Sequence, residues 1–175
     1  MVMPTERAVE VSRSRAPGIL AELYERHVGR AIGLARVLTG DHVVAEDLAH
    51  EAFIRSASRL GALGDPTRFE AYLLRAVVNL ARSRARRHRI EVAFIQRHPP
   101  VAAVPASDVE TSAMIREALL RLPVRQRAAI TLRYFDDLSE AQVATALGCS
   151  PKAVNDLVRR AREQLRRELR DEEDR

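Results

Sequence analysis

The stretch that decides the fold reads Ser139-Glu140-Ala141-Gln142-Val143-Ala144-Thr145-Ala146-Leu147-Gly148-Cys149-Ser150-Pro151-Lys152-Ala153-Val154. Ser139 and Gln142 stand at the Ser-x-x-Gln spacing of a capping box, which opens a short helix. Leu147-Gly148-Cys149 makes a turn. Ser150 then caps a second helix whose first position is Pro151, where a missing amide hydrogen costs nothing. Ala144, Gly148 and Val154 have the sizes a helix-turn-helix needs: a small residue for close approach, a glycine for the turn and a branched anchor. The second helix buries Val154, Leu157, Val158, Ala161 and Leu165 and turns Lys152, Asn155, Asp156, Arg159 and Arg160 outward. Such a face can enter a major groove and touch base edges and phosphates. The plainer alternative is a helical hairpin with a solvated charged face.

Upstream of this motif the periodicity stays helical. Leu20, Leu23, Val28, Ala31, Leu34, Ala35 and Leu38 form one apolar stripe from about Pro17, closed by Thr39-Gly40-Asp41. A second stripe runs through Val44, Leu48, Ala52, Phe53 and Leu60 to a loop at Gly61–Pro66. A third helix starts at the Thr67–Glu70 capping box, buries Phe69, Leu73, Ala76, Val77 and Leu80, and ends in an arginine-rich run. Pro99, Pro100 and Pro105 interrupt the pattern before helical order resumes at a Ser107–Glu110 box. Pro123 breaks the chain again before a helix to about Phe135. The expected organisation is a loose tail over 1–16, a first domain over 17–90, a flexible linker over 91–107 and a second domain over 108–175. The expected fold is all-α, two small helical domains with a helix-turn-helix in the second.

Composition agrees with that class. The 175 residues are 46% apolar and 30% charged, only 4% aromatic and without tryptophan, so strand-forming residues are scarce. A formal net charge of +5 suits an anionic partner. Cys149 is the only cysteine, which excludes an internal disulfide and a multi-cysteine zinc site. No apolar run approaches the roughly 20 residues of a membrane span, and the charged start with Pro4 is unlike a signal peptide. A cytoplasmic protein without membrane insertion is expected.

The third helix carries a second candidate surface. Arg75, Asn79, Arg82 and Arg86 fall on one face, a basic stripe that can follow a phosphate backbone while asparagine reads a base edge. Phe69 and Tyr72 lie at its start, where aromatic rings can hold unpaired bases. A solvated arginine face over core aromatics is the competing reading. The second helix offers a contrasting acidic and polar face, Glu46, Asp47, His50 and Glu51, which repels DNA and suits a protein partner. Asp47, His50 and Glu51 could also be imagined as metal ligands of an α-helical hydrolase, but no fourth ligand is apparent.

Several segments, taken together, resemble the extracytoplasmic-function sigma factors. Ala45-Glu46-Asp47-Leu48-Ala49-His50-Glu51-Ala52-Phe53 is similar to their acidic second-helix signature, and the segment from Phe69 to Ala81 to their third helix. Leu122-Pro123-Val124-Arg125-Gln126-Arg127, Leu138-Ser139, Val143-Ala144, Leu147-Gly148, Ser150 and the run from Arg160 to Arg166 resemble their second DNA-binding domain. The resemblance spans about residues 17–170 in the family's order. It implies an alternative sigma factor, not an enzyme, that needs no cofactor and no small-molecule substrate. Its implied partners are core RNA polymerase, promoter DNA and an anti-sigma factor. Asp47, His50 and Glu51 would meet the polymerase clamp helices. Phe69, Tyr72, Arg75, Asn79, Arg82 and Arg86 would open and read the minus-ten element, and Lys152, Asn155, Asp156, Arg159 and Arg160 the minus-thirty-five element. His50 stands for the usual glutamine, Tyr72 for tryptophan and Asp156 for serine. A helix-turn-helix regulator that acts without polymerase is the alternative; it leaves the acidic face and the linker idle.

Overall fold

The structure, a computed structural model, describes residues 6–60, 68–95 and 110–173. Among them are seven helices and no strand: α1 (Glu6–Thr39), α2 (His42–Ala57), α3 (Phe69–Ile95), α4 (Glu110–Arg121), α5 (Val124–Tyr134), α6 (Glu140–Leu147) and α7 (Pro151–Glu173). The all-α class is as the composition predicts, with one helical half from α1–α3 and another from α4–α7.

Local chemistry sets most boundaries. Gly40, at φ +75°, ends α1, and Asp41 starts α2 by accepting a bond of 3.1 Å from the Val44 amide. In α6 the capping box is complete: the Gln142 amide donates to Ser139 Oγ at 3.3 Å, and the Ser139 amide to Gln142 Oε1 at 2.9 Å. Gly148 stops α6 in the left-handed region at φ 60°, ψ 47°. The Ala153 amide donates to Ser150 Oγ at 3.2 Å, fixing the start of α7. Ala144 and Val154 are both buried, as helix-turn-helix packing requires.

Two boundaries differ from expectation. Residues 6–16, expected as a loose tail, are the first turns of α1, because that segment contains neither glycine nor proline to stop a helix. The helix α3 likewise runs to Ile95, beyond the expected end at residue 90, since the next breaker in the sequence is Pro99. The Gly61–Pro66 loop, the Thr67 and Ser107 caps and the linker prolines lie outside the described residues.

The two halves also share a core. Leu23, Leu34, Leu48, Phe53, Phe69, Leu73 and Val77 of the first half belong to one buried cluster with Ala128, Leu132, Val143, Leu147 and Val154 of the second. The centre is α5, whose six consecutive residues 127–132 are all buried. A helix apolar on one stripe packs on one side; one buried all round is enclosed. Here α1 and α3 enclose α5 together with α6 and α7. Val37 of α1 further packs against the second half's own cluster of Leu119, Leu122, Ile130 and Ala161. Cys149 is half-buried against the main cluster and behaves as the small apolar side chain expected of it.

Candidate nucleic-acid interface

The arginine stripe of α3 divides between two hollows. Tyr72, Arg75 and Asn79 line a recess of about 570 Å³ together with Arg55 and Ser56 of α2 and Ser58 and Arg59 just past its end. Tyr72 is 37% exposed, so its ring is reachable from that recess. Arg82 and Arg86 lie further along, beside a groove of about 770 Å³ whose other wall is Arg121, Leu122, Pro123, Val124 and Arg125. Asn79 borders both hollows. Arg55 and Arg59 are functional candidates that sequence reading missed. Their four-residue spacing at the basic end of an otherwise acidic helix is the signal that was there to find.

One expected site residue is not on the surface. Phe69 is fully buried, packed edge-on against Phe53 with ring centres 5.4 Å apart and tilted against His27 at 5.9 Å. It therefore cannot stack on an unpaired base; it holds the start of α3 against α1 and α2. Tyr72 is the exposed aromatic of the two. His27, wedged beside Phe69 and 3.8 Å from Glu70, has its pKa lowered by burial, an effect the Glu70 charge only partly opposes.

The recognition helix α7 presents Lys152, Asn155, Arg159 and Arg160 exposed, with Asp156 about half exposed. Three of the five are already engaged. Asn155 Nδ2 donates to Glu140 Oε2 at 3.0 Å, Arg159 donates to Glu163 at 2.9 Å, and Asp156 lies 3.6 Å from Arg159. The hydrogen bond and charge of Glu163 hold Arg159 above the ordinary arginine value, with Asp156 adding to it. These are exposed pairs within one surface, which DNA phosphates can displace at little cost.

On α2, Asp47, His50 and Glu51 are exposed on one side. His50 Nε2 bonds the Tyr24 hydroxyl at 2.7 Å, and the two rings stack at 6.0 Å. Glu51 pairs with Arg55, whereas Asp47 has no ion pair among the described residues. Within that same set no group of three or more His, Cys, Asp or Glu side chains could hold a metal ion, so the imagined hydrolase site does not assemble.

The sigma-70 region 2 family matches residues 23–90, the half that carries the acidic face and the recess. The sigma-70 region 4 family matches residues 112–165, the half that carries the helix-turn-helix. The ECF RNA polymerase sigma factor SigM of Mycobacterium tuberculosis is 32% identical over 149 residues, covering 85% of this chain and 76% of that one. The chain belongs to the extracytoplasmic-function sigma factors. A probable RNA polymerase sigma factor of Xanthomonas campestris, RfaY, is 34% identical over 146 residues; the match covers 78% of this sigma factor but only 36% of that longer protein. The solved structure of CnrH in complex with the cytosolic domain of CnrY aligns with a TM-score of 0.63 at 25% identity, covering 87% of this chain and 88% of that one. The two regions lie in the family's order, with the polymerase-facing and promoter-facing candidates in the matching halves. No helix among the described residues is long and apolar enough to cross a membrane.

Proposed function

We propose that this alternative sigma factor, which joins core RNA polymerase and directs it to promoters, divides the work between three surfaces. Asp47, His50 and Glu51 dock on the polymerase. Tyr72, Arg75 and Asn79, joined by Arg55 and Arg59 and continued by Arg82 and Arg86, take the separated strand of the minus-ten element. Lys152, Asn155, Asp156, Arg159 and Arg160 contact the minus-thirty-five duplex. The protein carries out no chemistry of its own and works in the cytoplasm, where polymerase and promoter are. An anti-sigma factor is a fitting regulator, since a solved neighbour of this fold is a sigma factor bound to the anti-sigma factor NepR.

The observation that carries the strand-opening role is the recess. Cations at its rim suit a phosphate backbone, one exposed ring suits a stacked base, and Asn79 supplies a donor and an acceptor between them. The test is run-off transcription with core polymerase, combined with permanganate mapping of unpaired promoter thymines. Asn79→Ala should reduce thymine reactivity and relax preference at one minus-ten position, with polymerase binding intact. Arg82→Ala should weaken binding without changing which bases are preferred, because phosphate contacts position and do not specify. Full reactivity in Asn79→Ala would remove that residue from the reading role.

A further inference from the structure

The groove of about 770 Å³ between α3 and the α4–α5 junction is lined by six arginines and, among the described residues, by no acid. On one wall Arg82, Arg86 and Arg89 follow at i, i+4 and i+7, so they share a face of α3 and span ~10 Å of its axis. All three are exposed and have no ion pair among the described residues. On the other wall Arg121 ends α4 and Arg125 lies in the first turn of α5. Arg121 pairs with Glu117 and Glu168, each at 2.9 Å, whereas Arg125 donates to the Leu147 carbonyl at 3.2 Å.

The sixth arginine, Arg127, is only 6% exposed. It donates to the carbonyls of Val37 at 3.4 Å and Leu38 at 2.6 Å, and to those of Leu120 and Leu122. Its Nε is buried without a hydrogen-bond partner. Burial pulls the guanidinium below its ordinary value, and no carboxylate restores it. Arg30 of α1 shows the contrast. It contacts Glu70, and its Nε meets Asp136 Oδ1 at 3.1 Å, so that the acids outweigh burial and hold its charge. A buried cation that has only neutral acceptors and one unused N–H is costly, and an anion in the groove would offset that cost.

Charge and shape narrow the anion. Six cations focused on one hollow call for several negative charges, more than a single carboxylate carries. The walls also hold apolar and neutral polar groups. Pro123 is exposed and Val124 half-buried between Arg121 and Arg125, which suits the face of a flat ring. Asn79 and Ser83, one turn apart on α3, offer an amide and a hydroxyl to the edge of such a ring. The volume lies within the roughly 300–1,000 Å³ of small-molecule sites, room for one nucleotide. We propose that the groove binds a nucleoside polyphosphate, its phosphates between the arginine walls and its base against Pro123 and Val124. Arg82 and Arg86 are also offered to the minus-ten strand, so a bound nucleotide competes with that strand. This consequence, unlike the site itself, rests on the function proposed above.

Titration calorimetry of the full chain with magnesium-free ATP and GTP, tripolyphosphate and an oligoglutamate peptide, at about physiological ionic strength, tests the site. One nucleotide should bind per chain, and tripolyphosphate about tenfold more weakly for want of a ring to bury. Arg89→Ala and Arg125→Ala should each weaken nucleotide binding about tenfold, the worth of one charge-assisted contact. Arg89 has no ion pair to lose, so its variant reads the site without disturbing the fold. Arg166→Ala removes an equal charge from α7, outside the groove, and should change nothing. Absence of saturable nucleotide binding overturns the proposal. So does tripolyphosphate or oligoglutamate binding as tightly as nucleotide, or an Arg166→Ala loss equal to that of Arg89→Ala. A single-stranded minus-ten oligonucleotide should displace the nucleotide. A nucleotide that depends on Arg89 and Arg125 but is not displaced would remove Arg82 and Arg86 from the minus-ten assignment and leave the site standing.

Discussion

The face of α3 proposed to open the strand and the face of α7 proposed to read duplex both lie on arginine-rich helices, yet their side chains differ in how far they are already paired. Around the recess, Tyr72, Arg75 and Asn79 meet Arg55 and Arg59, and among the described residues only Arg55 of these arginines has a carboxylate partner, Glu51 of α2. On α7 two of the proposed DNA-contacting groups are held by acids of their own half: Asn155 by Glu140, and Arg159 by Glu163 and Asp156. A preformed cationic hollow attracts a flexible single strand without rearrangement. A face on which Arg159 is already paired and Asn155 already bonded engages duplex through those two groups only after exchanging these partners for DNA. That suppresses non-specific binding and leaves sequence to decide.

The largest effect should come from the α2 surface proposed to dock on polymerase. Asp47→Arg reverses the acid of the proposed polymerase-facing side that has no ion pair among the described residues, without touching the core, and should cost about 2–5 kcal/mol of core affinity for a contact buried there. Thermal stability should stay the same. Unchanged affinity in a titration would show that α2 does not face polymerase, and the comparison would then concern two surfaces with no common platform. Next in size is Tyr72→Ala. Loss of one base stack is worth about 1–3 kcal/mol, so open-complex formation should fall while duplex binding by α7 stays level. Equal losses in both assays would mean that the recess is not specialised for single strands.

How far the sequence could be read follows the range of the interactions involved. The capping box at Ser139, the turn at Gly148, the cap at Ser150 and the buried positions of Ala144 and Val154 are local, and each was legible from residues a few positions apart. The extension of α1 back to Glu6 was missed because a polar segment without an apolar stripe looks like tail, although nothing in it breaks a helix. Phe69 was given two places, on the buried stripe and among the base-holding aromatics, because an aromatic at a helix start reads equally as core or as surface; the positions of Phe53 and His27 decide for the core. Arg30, Arg127 and Asp136 were invisible as a group. Their partners are separated by about a hundred positions, and nothing in local periodicity pairs them.

A smaller effect is expected on α7. Glu140→Ala and Glu163→Ala remove the acceptors of Asn155 and Arg159 without altering the apolar face. Non-specific duplex affinity should then rise a few-fold at low salt and converge with wild type at high salt, because each variant removes an acid from the face, the Glu163 variant also releases Arg159, and salt screens both effects. Asp156→Ser should act in the same direction by releasing Arg159. If Asp156 also accepts a bond from cytosine, one minus-thirty-five position should lose about 1–3 kcal/mol of discrimination as well. Binding-site selection separates the two roles. Identical base preferences would leave Asp156 as a partner of Arg159 alone. Unchanged non-specific affinity in all three variants would break the contrast between paired and open faces.

The smallest expected effect concerns acid, and it falls on one half only. The second half, residues 110–173, contains no histidine, whereas His27 sits under Phe69 and beside Glu70 at the foot of the strand-opening helix. Burial lowers its pKa below the ordinary 6.5. The unfolded chain therefore takes up a proton as pH falls through 6.5 while the folded chain still resists it. The stability present above 6.5 is lost progressively below that value and levels off once pH passes the folded pKa. Because side chains of α1 and α3 both surround His27, the loss should loosen the platform of the recess before it reaches the helix-turn-helix. Denaturant unfolding between pH 7.5 and 5.5 tests this when wild type is compared with His27→Gln, which keeps a polar side chain but cannot titrate. The wild type should lose more stability than the variant across that window, and amide exchange should quicken first in α1 and α3. Parallel pH profiles for the two proteins would show that His27 does not report on this region.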